Sequence, residues 1–378
     1  MLKKTMMTVG RVVFALFSLI ATAVLVFVLL TGSGSVRANA GQSGANAAIM
    51  DRYDTYINNR MSNALEGILA IEKVYWLSDD DQIAPKPDPT KYGRTTDPSS
   101  LEWLMEDAAK ILDGQETIFN TDIDIARGSE VIYYLDETIF AVTWKEGING
   151  VVYTFSEVKI AHPSQFRRFL AGGEYGADVQ LVTTEMAKTV NAVVASSGDF
   201  YNFRRVGVIV YNGQVRRVNS KYVDTCYIKE KGDLLFSYAG QIPDMKVAEK
   251  FAEENNVRFS LAFGPILIDK GVYRHVDDYT LGEINRHYSR AALSQKGELH
   301  YLLTTANDED EYGYPTVPTL FEFAQVLLDK GVDMAYTLDG GQTAAIVTNN
   351  KLINDVDFDS QRAISDIIYF ATAVPDGN

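Results

Sequence analysis

The chain has 378 residues, 46% of them apolar and 11% aromatic, and its 35 basic against 50 acidic side chains leave a net charge of −15. That composition can fill a proper core, which excludes a disordered chain. The acidic balance argues against nucleic acid or anionic lipid headgroups as partners, because the summed field repels both.

Lys3, Lys4 and Arg11 precede an uncharged apolar run from Val12 to Leu30. At about 1.5 Å per residue such a run is long enough to cross a hydrocarbon core of roughly 30 Å. Positive charge on the near side keeps the N-terminus in the cytoplasm and sends the rest outward. Residues 1–31 are therefore expected to be a cytoplasmic N-terminus and transmembrane anchor, with the bulk of the chain exported. The alternative is a cleaved leader, since Ala38-Asn39-Ala40 has the small-x-small form that signal peptidase cuts; cleavage after Ala40 would release a secreted protein. The first 40 residues hold four basic groups and no acid, so the exported part would carry 31 basic against 50 acidic residues. Cys226 is the only cysteine, which rules out an intrachain disulfide and fits a Gram-positive surface better than an animal secreted domain. It reads as a small packed hydrophobe.

Residues 32–47, rich in Gly, Ser, Ala and Asn, read as a flexible linker. Residues 48–127 are expected to form a small membrane-proximal helical region. Its first helix is marked by Ile49, Tyr53, Ile57, Met61, Leu65, Leu69 and Ile71, and its second starts at Ser100-Leu101-Glu102-Trp103 and stops at Gly114. The acidic, proline-containing stretch 78–99 between them reads as a loop, and no chemistry is legible in this region.

Residues 128–378 are expected to form one α+β domain with a mixed or antiparallel sheet and packed helices. Val131–Leu135, Ile139–Trp144 and Val151–Phe155 have strand texture, and Asn149-Gly150 has the composition of a type I′ hairpin turn. Later strands are predicted at Val206–Tyr211, closed by Asn212-Gly213, and at Leu234–Tyr238, Ile266–Ile268 and Leu299–Thr304. Helices are predicted at Thr183–Thr189 and at Thr319–Lys330, the latter stopped by Gly331.

Several residues in this domain suit an anion-binding site. Asp339-Gly340-Gly341 turns sharply after an apolar strand, and two glycines let backbone N–H groups approach an anion. The same sequence is also good chemistry for a plain hairpin. Arg290 offers a planar, permanent positive charge that suits a phosphodiester oxygen or a surface ion pair. Thr319-x-x-Glu322 is a capping box at the start of its helix. Asp199, in Ser-Ser-Gly-Asp-Phe-Tyr, suits a turn-stabilising Asx role. Asn191, His300 and Phe263-Gly264-Pro265 are weaker pocket candidates.

Four segments in order carry a resemblance to a known family: NAVVASSGDFYNFRRVGVIVYNG at 191–213, FSLAFGPILIDKG at 259–271, INRHYSRAALSQ at 284–295 leading through LHYLL to TLFEFAQVLLDKG at 319–331, and AYTLDGGQTAAIV at 335–347 followed by QRAISDIIYF at 361–370. Over about residues 128–375 the chain resembles the phosphodiester glycosidases. The resemblance implies hydrolysis of a sugar-1-phosphodiester in a cell-surface polysaccharide or glycolipid. It implies Asp339 with Glu322 or Asp199 as catalytic carboxylates, and Arg290, Gly340, Gly341, Thr343 and His300 as substrate-binding residues, with no cofactor and no metal ligand. The chain departs from the family pattern in three places. Asn307-Asp308-Glu309 stands where an Asp-Gly-Arg turn is expected, Gln342-Thr343-Ala344 replaces Gly-Ser-Ser, and Ser294 replaces a glycine. These departures keep open a second reading, a catalytically weakened surface module that binds a glycan or phosphopolymer. The acidic stretch Asn307–Glu311 lacks the spacing of a Ca²⁺ loop.

Overall fold

The computed structural model describes Leu77 and residues 83–115, 117–274, 279 and 286–374. The expected membrane segment 12–30, the linker 32–47 and the helical pattern 49–71 lie outside the described residues. Among the described residues no helix is long and apolar enough to cross a membrane.

A nine-stranded sheet forms the centre. Its spatial order is Tyr92–Thr95, Val131–Leu135, Ile139–Ile148, Val151–Ile160, His300–Asn307, Arg290–Gly297, Met334–Leu338, Ile266–Asp269 and Val272–Tyr273. Every pairing in it is antiparallel. The hairpin between Ile139–Ile148 and Val151–Ile160 turns on Asn149 and Gly150, at φ 52° and 79°, which is the pair of left-handed residues that a type I′ turn needs.

Side chains alternate across this sheet with period two. Phe140, Val142 and Trp144 enter one core, with Leu104, Ala108 and Ile111 of the helix Glu102–Leu112 and Phe323 and Leu327 of the helix Leu320–Asp329. Ile139 and Ala141 enter the other core, together with residues of two smaller sheets. One of these has five strands in the order Lys351–Leu352, Ile346–Thr348, Val194–Ser197, Asp366–Phe370 and Phe166–Leu170. The other has three, in the order Leu234–Ser237, Thr225–Lys229 and Val257–Leu261. The large sheet is thus covered on both faces, by helices on one and by strands on the other. That double burial explains why Val151–Ile160 is buried at all ten positions and reads as an unbroken run.

Several boundaries differ from the sequence reading. The helix expected to begin at a Ser100 cap begins at Glu102, behind a 3₁₀ turn Pro98–Leu101 whose first amide partner is the Asp97 carboxylate, and Leu101 caps it without a side-chain hydrogen bond. This helix and the edge strand Tyr92–Thr95 fall in the expected helical region 48–127, but the structure runs the sheet and its core across position 127 without a break. The helix Met245–Asn255 was not predicted; only Ala248 and Ala252 are buried on it, so its apolar stripe is faint. Cys226 is packed in the second core, where burial pushes its thiol well up, as the reading of a small hydrophobe requires.

Candidate active site

The strand Met334–Leu338 ends in a turn at Asp339-Gly340-Gly341, beside the start of the strand Arg290–Gly297. Ala291 pairs with Leu338, so one further step in the register sets Arg290 against Asp339. The two glycines have different tasks. A Cβ on Gly340 would lie 2.5 Å from the Ser289 carbonyl oxygen, so only glycine lets the turn approach the neighbouring strand. Gly341 sits at φ +63° and donates its N–H to that same oxygen at 3.0 Å. The Gly341 amide is thus committed to the fold instead of to an anion. Thr343 is buried and donates its hydroxyl to the Gly340 carbonyl at 2.7 Å, which tightens the turn from within. It does not line the cavity described next, in contrast to its expected substrate contact.

A cavity of about 520 Å³ opens over this turn. Three guanidinium groups line it, from Arg204, Arg290 and Arg362, against two carboxylates, Asp339 and Asp357. Aromatic rings complete the walls: Phe200, Phe203, Phe263, Tyr288 and Phe358. Each arginine lies against a ring, Arg204 at 4.3 Å from the Phe263 centroid, Arg362 at 4.9 Å from Phe200 and Arg290 at 5.5 Å from Tyr288. Gly264 and Pro265 also line the cavity, so the whole Phe-Gly-Pro segment reaches it. In a chain of net charge −15 the surplus of positive groups here is a local reversal that suits an anionic ligand.

Asp339 is buried, and its Oδ2 accepts from Arg362 Nη2 at 2.8 Å. Burial raises its pKa above the ordinary carboxylate range, and the charge and hydrogen bond of Arg362 pull the other way. Ser289 donates its hydroxyl to Asp357, while its carbonyl accepts from Gly341, so one residue ties both acidic walls to the sheet.

Two of the aromatic wall residues are held in the left-handed region, Phe200 at φ +56° and Phe358 at φ +60°. A bulky residue there is strained and persists only where its surroundings fix it. For Phe200 the fixing group is visible. Its N–H donates to Asp366 Oδ1 at 3.2 Å, and the Asp366 Oδ2 accepts from Arg168 Nε at 2.9 Å. Arg168 also pairs with Asp199 at 2.8 Å, and all three side chains are almost wholly buried. Burial, with the neighbouring Asp199 charge, pushes Asp366 up to about 7 against the pull of Arg168. A Cβ on Gly198 would collide with the Asp366 carboxylate, which accounts for the glycine in this turn.

That cluster relocates Asp199. Its carboxylate accepts from Arg168 and from the amides of Tyr201 at 2.8 Å and Ala262 at 2.7 Å, beneath the cavity wall and not in it. Glu322 is not at the cavity either. It completes the capping box with Thr319, both of whose donors reach Glu322 Oε2 at 2.8 Å, and these hydrogen bonds hold its carboxyl below the usual range. His300 is fully buried in its strand with Nε2 at 2.7 Å from Glu157 Oε1. Asn191 turns the chain at φ +57° after the helix Thr183–Thr189, with its side-chain amide on the Ala84 carbonyl at 2.9 Å. The acidic stretch Asn307–Glu311 does not line the cavity, and its Glu309 is neutralised by Lys145. Among the described residues no group of three or more His, Cys, Asp or Glu is placed to hold a metal ion.

Of the expected residues, then, the structure brings Asp339, Arg290, Gly340 and Gly341 together and leaves Glu322, Asp199, Thr343 and His300 outside the cavity. Sequence reasoning missed Arg204, Arg362, Ser289 and Asp357 as cavity residues. Arg204 and Arg362 stood inside segments already singled out, Asn-Phe-Arg-Arg at 202–205 and Gln-Arg-Ala-Ile at 361–364. Their signal was positive charge in an acidic chain.

The model of the phosphodiester glycosidase family matches residues 190–371. All four segments of the sequence resemblance and every residue lining the cavity fall within that range. No curated protein matches the chain by sequence. Among solved structures, the catalytic domain of zebrafish N-acetylglucosamine-1-phosphodiester alpha-N-acetylglucosaminidase, auto-inhibited by its pro-peptide, is similar at 19% identity, over 68% of this chain and 87% of that one, with a TM-score of 0.47. A hypothetical protein from Synechocystis is similar at 16% identity, over 62% of each chain, with a TM-score of 0.43.

Proposed function

We propose that the chain, whose residues 190–371 match the phosphodiester glycosidases, is an exported, membrane-anchored hydrolase of sugar-1-phosphodiesters in a cell-surface polysaccharide or glycolipid. The observation that carries this reading is the cavity itself, where three guanidinium groups and two carboxylates meet among aromatic rings. A sugar phosphodiester needs all three kinds of surface. Aromatic faces suit the apolar C–H face of a sugar ring, guanidinium groups suit phosphate oxygens, and a carboxylate suits the positive charge that develops at the anomeric carbon.

In the proposed reaction the bond between the anomeric carbon and a phosphodiester oxygen breaks, and water supplies the new oxygen. A phosphate monoester leaves readily, so the site has little need of a strong general acid. Arg204 and Arg290 hold the phosphate and stabilise the charge that builds on the leaving oxygen. Asp339, kept in place by Arg362, faces the sugar and stabilises the oxocarbenium-like carbon. The arginine missing from the Asn307–Glu309 turn does not weigh against activity, because that turn lies outside the cavity and Arg204 and Arg362 add charge within it. The anchor rests on the run Val12–Leu30 and the basic residues before it.

The test is release of free sugar from N-acetylglucosamine-1-phosphodiesters by the purified 378-residue chain. Asp339→Asn should abolish turnover, and Arg290→Ala should lower it by about 10²–10³, the usual range for removing one preorganised charge-stabilising donor. Absence of turnover across a panel of sugar phosphodiesters, with binding retained, would assign the cavity to a glycan- or phosphopolymer-binding module instead.

A further inference from the structure

Hydrolysis needs one task that Asp339 is poorly placed to perform, which is to take a proton from the attacking water. Asp339 is buried in the cavity wall and paired with Arg362, so its negative charge is fixed in position and little of it is open to incoming solvent. Asp357 is the other carboxylate on the cavity wall, and its situation is the opposite. It is half-buried, so water from the cavity can reach it. Among the described residues its carboxylate makes no ion pair, and its Oδ1 is fixed by the Ser289 hydroxyl. The other oxygen, Oδ2, lies over the Asp339-Gly340-Gly341 turn, 3.3 Å from the point where a Cβ on Gly341 would stand.

We propose that Asp357 is the catalytic base of this site. This rests on the hydrolase reading above and adds to it the residue that activates water. As the water oxygen bonds to the anomeric carbon, one of its protons passes to Asp357 Oδ2. The bond from that carbon to the phosphate oxygen breaks, and the electron pair leaves with the phosphate monoester. Ser289 is a positioning residue that orients the base through its hydroxyl and the turn through its carbonyl.

The assignment is tested with the 378-residue chain on an N-acetylglucosamine-1-phosphodiester. Asp357→Asn keeps an oxygen for the Ser289 hydroxyl, so its melting temperature should match the native chain while kcat falls by about 10²–10⁴ and KM moves little. Azide needs no deprotonation before it attacks carbon. It should therefore restore turnover to Asp357→Ala, with glycosyl azide as product, and restore none to Asp339→Asn. If Asp357→Ala does not fold, azide rescue is read on Asp357→Asn. Retention of kcat within threefold in Asp357→Asn overturns the proposal and leaves the hydrolase standing. Loss of activity that azide does not rescue also overturns it, by making Asp357 structural. A native chain inactive on the whole panel overturns both readings together.

Discussion

Arg362 reaches Asp339 across the cavity wall at 2.8 Å, and its guanidinium is half exposed while the carboxylate is buried. The pair is thus asymmetric: the cation keeps its water, and the anion depends on the cation to stay ionised. Burial alone raises the Asp339 pKa, and Arg362 is the largest opposing influence. If the ionised carboxylate is the active form, activity falls as pH drops through this raised pKa. Arg362→Gln removes the opposing charge, so the acid limb of the kcat/KM profile should move to higher pH. A limb that stays in place in the variant would separate Asp339 from that titration.

The close approach at Gly340 gives a prediction about stability. In Gly340→Ala the new methyl carbon would stand 2.5 Å from the Ser289 oxygen, and neither backbone can move without disturbing the pairing of Ala291 with Leu338. Overpacking of this kind costs about 1–3 kcal/mol, and thermal unfolding should show it as a lower melting temperature together with lost activity.

Phe358 predicts a trade between stability and binding. It is 87% exposed and sits at φ +60°, so the fold gains little from its ring and bears the strain of its backbone. Phe358→Gly should raise stability by about 1 kcal/mol by relieving that strain, and should raise KM through loss of a ring from the cavity wall. An unchanged KM would show that the ring does not touch substrate.

Asp366 predicts a pH dependence of folding. Its pKa in the folded chain, about 7, lies above the ordinary carboxylate value, so the folded state binds its proton more tightly than the unfolded state does. Its contribution to stability is therefore complete below pH 4 and is lost as pH rises towards 7. Asp366→Asn leaves Arg168 paired with Asp199 and removes this titration. The stability difference between native chain and variant, followed by denaturant unfolding from pH 4.5 to 7.5, should shift in favour of the variant as pH rises.

Glu322→Ala should separate cap from catalyst. Loss of the capping box should cost about 1 kcal/mol of stability, and kcat should hold if the carboxylate does no more than cap the helix. A fall in kcat comparable to that of Asp339→Asn would return Glu322 to the reaction.

These assignments show what the sequence could and could not disclose. Strands such as Val131–Leu135 and the Asn149-Gly150 turn were legible because local chemistry sets them. The capping box of Glu322 was equally legible, and its strength as a local motif is the reason the residue is occupied at its helix. Asp339 and Arg290 were legible as a turn and a charge, but their adjacency follows from the register of two strands more than 40 residues apart in sequence. Asp199 has the look of a pocket residue because it sits in a glycine-rich turn next to one. Only the long-range partner Arg168, on a strand that pairs near the end of the chain, shows that its carboxylate points inward. Asp357 lay in the string Asp-Val-Asp-Phe-Asp, where nothing local distinguishes the one acid that faces the cavity from its neighbours.

The antiparallel seam between Val151–Ile160 and His300–Asn307 joins segments some 140 residues apart, and Phe166–Leu170 waits for Asp366–Phe370. Val151–Ile160 pairs early with Ile139–Ile148 but keeps its other edge open until His300–Asn307 arrives, and Phe166–Leu170 has no partner until almost the whole chain has been synthesised. A polypeptide emerging from a ribosome must therefore carry open apolar strand edges for most of its synthesis, and non-local pairing of this kind closes slowly once it begins. The interval before the last strand arrives is therefore when the protein is easiest to lose to aggregation.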